Sequence, residues 1–105
     1  MLTNQFIEIH AEFLFRAINY SCSAVIDSSE YPCYVFAMLQ DPGLIREFGN
    51  EITIATDGKS RLAKKGDYSE LVKISEAILL VIKEAPEFRT VKLKMNILKR
   101  TILEM

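Results

Sequence analysis

The stretch that decides the fold is Phe6-Ile7-Glu8-Ile9-His10-Ala11-Glu12-Phe13-Leu14-Phe15-Arg16-Ala17-Ile18. Its odd positions from Ile7 to Ala17 are all apolar: Ile7, Ile9, Ala11, Phe13, Phe15 and Ala17. The even positions between them include Glu8, His10, Glu12 and Arg16. A strand sends successive side chains to opposite faces, so this alternation predicts a strand with one buried face. Helical spacing also fits Phe6, Ile9, Phe13 and Ala17, but the alternation never fails across the odd series and favours the strand.

Working outward, Asn19 and its neighbours are read as the reversal into a strand over Tyr20–Ile26. Asp27-Ser28-Ser29-Glu30 reads as a hairpin loop, because short polar side chains hydrogen-bond nearby backbone. Cys33–Leu39 follows, with Pro32 before it because proline cannot donate to a ladder. A loop of two or four residues places Tyr20, Cys22, Ala24 and Ile26 on one face with Cys33, Val35, Ala37 and Leu39. The other face then carries Ser21, Ser23 and Val25 beside Tyr34, Phe36 and Met38.

Asp41-Pro42-Gly43 marks a turn, and Leu44–Phe48 a short helical turn that Gly49 and Asn50 end. Glu51–Thr56 alternates as a strand, and Asp57-Gly58 is a hairpin pair leading to a weak return strand over Lys59–Ala63. Asp67 with Glu70 resembles a capping box, with Asp in place of Ser or Thr. Behind it Leu71, Ile74, Ile78, Ile82 and Ala85 line one helical face, and Ile78–Ile82 is apolar nearly all round, which predicts cover on more than one side. Pro86 stops this helix. The last stretch fits both periods. Val91, Leu93, Met95 and Ile97 alternate, whereas Phe88, Val91, Met95, Leu98, Ile102 and Met105 recur at helical spacing; the longer series favours a helix.

The expected architecture is therefore one α+β domain over 1–105. An antiparallel sheet of about four strands occupies the first 63 residues, packed by a long helix near 68–84 and a C-terminal helix near 87–104. At 105 residues, half of them apolar, the chain is too short for two domains and too apolar for disorder. No apolar run reaches the ~18–20 residues of a membrane helix, and the start lacks a signal-peptide pattern. A cytoplasmic protein with no membrane partner is expected.

Catalytic chemistry finds little to stand on. His10 is the one histidine, and on a polar strand face between Glu8 and Glu12 its charged form would be favoured. A solvated surface histidine is the simpler reading. Cys22 and Cys33 fit buried, reduced thiols, and a cross-strand disulfide is geometrically open because they share a face. A cysteine nucleophile needs a base within reach, and His10 points away from the cysteine face. The cysteine spacing matches no zinc motif, and Gly43, Gly49, Gly58 and Gly66 are too scattered for a phosphate-cradling loop. No metal, cofactor or catalytic residue is expected.

Charge and surplus apolar surface are more informative. Residues 1–58 hold two basic and eight acidic side chains, and residues 59–105 hold eleven basic and six acidic, so the halves are electrically opposite and suited to face each other. Lys59, Arg61, Lys64 and Lys65, with Arg89, Lys92, Lys99 and Arg100, could contact phosphates. Tyr34, Phe36 and Met38 on one strand face, and Phe88, Val91, Met95, Leu98 and Ile102 at helical spacing, exceed what one sheet–helix layer should bury. Leftover apolar area of this kind marks an interface. The expected function is a noncatalytic protein-interaction or regulatory module that associates with itself, with nucleic-acid binding second and a cysteine-dependent enzyme last.

Overall fold

The structure is a computed structural model that describes residues 6–29, 31–89, 91–93 and 97. Five antiparallel strands form one sheet in chain order: β1 (Phe6–Phe15), β2 (Ile18–Asp27), β3 (Tyr34–Leu39), β4 (Glu51–Ala55) and β5 (Arg61–Ala63). The expected α+β class is observed, and the weak return strand expected over Lys59–Ala63 forms as the short β5. α1 (Pro42–Phe48) links β3 to β4, and α2 (Tyr68–Glu84) lies across one face, chiefly over β1.

The β1 alternation is realised as read. Ile9, Phe13 and Phe15 are buried, Ile7 and Ala11 are half-buried against the core, and Glu8, His10 and Glu12 are exposed. The β2–β3 register pairs Ala24 with Ala37 and Ile26 with Val35, so the cysteine face points inward as expected. On α2, Ile74, Ile78 and Ile82 are fully buried, each a turn from the next. Leu80 is 61 % exposed, so α2 is covered on one broad side and not all round. Phe88 and Val91 complete the same core from a helical segment after Pro86.

α1 and α2 each start on an aspartate. Asp41 Oδ2 accepts from the Leu44 amide at 3.0 Å, and Asp67 Oδ2 from the Glu70 amide at 3.2 Å, satisfying donors that a helix start leaves orphaned.

The first reversal departs from the reading. Phe15 pairs with Ile18, so the turn is Arg16-Ala17 and not Asn19, and Ala17 is exposed. Arg16 has φ 54° and Ala17 φ 63°, the positive-φ pair of a two-residue hairpin turn that Asn-Gly normally supplies. A Cβ in that region is unfavourable, and Arg16 compensates through its contacts. Its Nη1 and Nη2 donate to Glu47 Oε1 and Oε2 at 2.9 and 2.6 Å, and Nη2 also donates to Glu70 Oε1 at 2.7 Å. Its guanidinium lies 4.5 Å from the centre of the Phe15 ring. Ala17 has no such compensation, so Ala17→Gly is expected to stabilise by about 1 kcal/mol. A urea melt that shows no gain would contradict that account of the turn.

Candidate protein interface

α2 covers only the inner face of the sheet. On the outer face the pleat aligns Val25 of β2, Tyr34, Phe36 and Met38 of β3, Thr53 of β4 and Leu62 of β5. The register sets Val25 opposite Phe36, Phe36 opposite Thr53, and Thr53 opposite Leu62, so these side chains adjoin across the strands. Val25, Phe36 and Thr53 are half-buried, while Tyr34, Met38 and Leu62 are 38 %, 42 % and 69 % exposed.

Two shallow depressions flank the β3 ridge. One, of about 450 Å³, is lined by Glu51, Thr53, Leu62 and Lys64. The other, of about 310 Å³, lies over β1 and β2 and is lined by His10, Glu12, Ser21 and Gln40. Beside it runs a polar cluster. His10 Nδ1 is 2.9 Å from Ser23 Oγ, Gln40 Nε2 donates to Ser23 Oγ at 3.1 Å, and Glu8 Oε1 is 3.7 Å from His10 Nε2. Serine, imidazole and carboxylate in file resemble hydrolytic machinery in composition alone. His10 and Glu8 are open to solvent, and β2 is paired on both sides, which commits its amides to ladders and not to an oxyanion above Ser23. Ser23 and Gln40 escaped the sequence reading because the β1–β2 register that sets His10 against Ser23 follows from the Arg16-Ala17 turn.

No family model, curated protein or solved structure matches the chain. The face must be read from its own chemistry.

The sequence-predicted interface residues separate. Tyr34, Phe36 and Met38 lie together on the outer face. Phe88 and Val91 are core residues, 3 % and 0 % exposed, because their helical segment folds back onto the sheet–helix core and not outward. Met95, Leu98 and Ile102 lie outside the described residues.

The basic residues also divide. Lys59, Lys64 and Lys65 are exposed around β5, whereas half-buried Arg61 turns inward and donates to the Gly58 carbonyl. Arg89 and Lys92 are exposed beyond the other end of α2, a helix roughly 25 Å long. Lys99 and Arg100 lie outside the described residues. One continuous phosphate-tracking stripe does not form among the described positions.

Cys22 and Cys33 are buried and unbridged. Cys22 pairs with Leu39, and continuing that register sets Cys33 opposite Ser28. The two cysteines thus sit about 20 Å apart along the strands, beyond any disulfide. Burial pushes the Cys22 thiol up from 9.0 to about 11. An unfolded thiol ionises first, so between those values the folded state holds more protons and stability falls as pH rises. Cys22 is expected to be inert to a thiol probe at neutral pH in the native protein and to react on denaturation; rapid native labelling at Cys22 would contradict its burial.

The charged pairs around the Arg16 turn and the helix start are structural. Arg16 and then Lys73 hold the Glu70 carboxyl below its ordinary value, and the Ser69 hydroxyl and Glu70 amide do the same for Asp67. Their contribution to stability is complete above the ordinary carboxylate range and is lost as pH falls below it through the lowered folded values. Among the described residues no group of His, Cys, Asp or Glu could hold a metal ion, and no helix is long and apolar enough to cross a membrane.

Proposed function

We propose that this chain is a noncatalytic protein-interaction module that associates with itself through the outer face of its sheet. The observation that supports this reading is the apolar row Val25, Tyr34, Phe36, Met38 and Leu62, adjoining across β2, β3 and β5 through Thr53, with Tyr34, Met38 and Leu62 exposed. Large contiguous apolar patches on a protein surface mark interaction sites. Leu80 on α2 is also exposed, but it lies away from this row.

The sheet face offers on the order of 500 Å² per copy, from five strands ~4.8 Å apart and ~20 Å long. Two such faces would bury on the order of 1,000 Å² in total, below the ~1,200–2,000 Å² of stable specific interfaces and in the range of weak or transient ones. Two buried, unbridged cysteines suit a reducing cytoplasmic compartment.

Light scattering across a micromolar concentration series tests the reading. The full chain should shift from its 12.0 kDa mass toward twice that value. Met38→Glu and, separately, Leu62→Glu should remain monomeric while keeping the parent's circular dichroism and melting temperature, since both side chains are exposed. A parent that stays monomeric throughout would refute self-association.

A further inference from the structure

The two ends of the sheet are finished differently. At one end β5 is three residues long, with exposed Lys59, Lys64 and Lys65 around it. A very short strand flanked by lysines is a poor template for another chain. At the other end β1 runs for ten residues, roughly 33 Å, and holds no proline, glycine or lysine. Its pairing with β2 continues from Phe6 to Phe15 without a bulge, and among the described residues β2 is its one partner strand.

The Arg16-Ala17 turn decides which backbone groups this edge offers. A two-residue turn bonds Phe15 to Ile18, and antiparallel pairs alternate between bonded and unbonded. The odd residues of β1 therefore direct their amides and carbonyls to β2. Those of Glu8, His10 and Glu12 point the other way, along the open edge. The side chains of the same three residues are exposed on the outer face, and β1, β2 and β3 carry no lysine or arginine. Arg16, just beyond β1, is held by Glu47 and Glu70. On the inner side, Ile7 and Ala11 belong to the core face yet are only half-buried.

From this arrangement we infer that β1 takes up an extended basic peptide as a sixth strand, one whose lysines or arginines alternate with apolar residues. Strand addition draws affinity from main-chain hydrogen bonds and specificity from alternate side chains. Opposite Glu8 and Glu12 the added strand presents cations on the outer face, and cross-strand pairs of opposite charge are favourable. Its intervening residues lie beside Ile7, Ile9 and Ala11 on the core side, so they are apolar. A second copy suits the edge less well, because its own β1 would bring two more glutamates to Glu8 and Glu12. The edge is distinct from the Tyr34, Phe36 and Met38 patch, so the two contacts stand or fall separately.

Fluorescence anisotropy of a labelled peptide, Lys-Val-Lys-Val-Lys-Val-Lys blocked at both ends, titrated with the full-length chain, tests this site. One control peptide has glutamate for each lysine. The other carries N-methyl groups on the lysine amides, which are the ones that would meet β1. The basic peptide should bind about tenfold tighter than either control at low salt. Glu8→Lys/Glu12→Lys should reverse the preference between the basic and acidic peptides, and its circular dichroism should match the parent's because both positions are exposed. In hydrogen exchange, the Glu8, His10 and Glu12 amides should gain protection when the basic peptide is added, whereas Ile9 and Ala11 are already protected by β2. No binding, equal binding of the N-methylated peptide, an unreversed preference in a folded variant, or no added protection at those three amides would each overturn the proposal. Protection of the same amides on concentrating the chain alone would make a second copy the occupant and would overturn it too.

Discussion

Gly66→Ala is expected to destabilise the protein by about 3 kcal/mol or more, lowering its melting temperature by roughly 10 °C or more. Two independent costs add at this position. Gly66 has φ +106°, a region that an L side chain occupies only under strain. A Cβ built there would also lie 2.8 Å from Phe48 Cδ1 and 3.0 Å from the Glu47 carbonyl oxygen. The ring cannot yield easily, since Phe48 is fully buried and packs edge-on to Phe15 at 6.3 Å. The carbonyl belongs to α1 backbone. The mechanism has its own check. Phe48→Leu should cost less in the Gly66→Ala background than in the parent, because a smaller side chain relieves part of the clash. Additive losses would show that the ring contact contributes nothing, leaving φ strain and the Glu47 carbonyl.

Phe13→Ala should cost about 3–5 kcal/mol, whereas Glu12→Ala, one residue away, should change stability by less than about 0.5 kcal/mol. Phe13 is 1 % exposed and packs against Tyr20 with ring centres 5.8 Å apart; Glu12 faces solvent. The contrast follows from the pleat and not from either residue's identity, because adjacent strand positions lie on opposite faces. A chemical denaturation series over the consecutive positions Glu12, Phe13, Leu14 and Phe15 should alternate small and large losses, since Phe13 and Phe15 are buried and Glu12 and Leu14 exposed. A loss that rose every third or fourth residue would contradict the strand.

That alternation is why so much of the architecture was legible before any coordinates. Ile7 to Phe15 state a period of two in their own chemistry, and α2 states a period near three and a half through Leu71, Ile74, Ile78 and Ile82. Asp67 announces the start of α2, and Pro86 its end. Local patterns of that kind encode local structure.

What stayed hidden depends on contacts distant in sequence. The turn at Arg16-Ala17 has no glycine or asparagine at its centre. Its conformation is supported by Glu47 and Glu70, 31 and 54 residues away, which no window around the turn contains. With that turn unread, the pairing of His10 with Ser23 was also unread. Phe88 and Val91 show the complementary difficulty. An apolar helical stripe is the same pattern whether it covers its own core or a partner's, and only the fold decides between them.

For the outer face the sequence was informative in part. Tyr34, Phe36 and Met38 share a face in any odd-sum register, so their grouping could be read. Leu62 could not be joined to them, because it reaches the patch only through the β3–β4 and β4–β5 pairings. The opposite charges of the two halves of the chain were visible as a tally. No residue-type motif marks such a face.

The central claim, that a second copy covers the outer face of the sheet, is tested most directly at the Met38 methyl group. Its accessibility to a soluble paramagnetic probe can be followed by NMR as the full-length chain is concentrated from low to high micromolar, with the Leu80 methyls on α2 as reference. The expected result is a progressive loss of relaxation enhancement at Met38 while Leu80 remains fully accessible. Equal enhancement at Met38 at both ends of the series would contradict the claim.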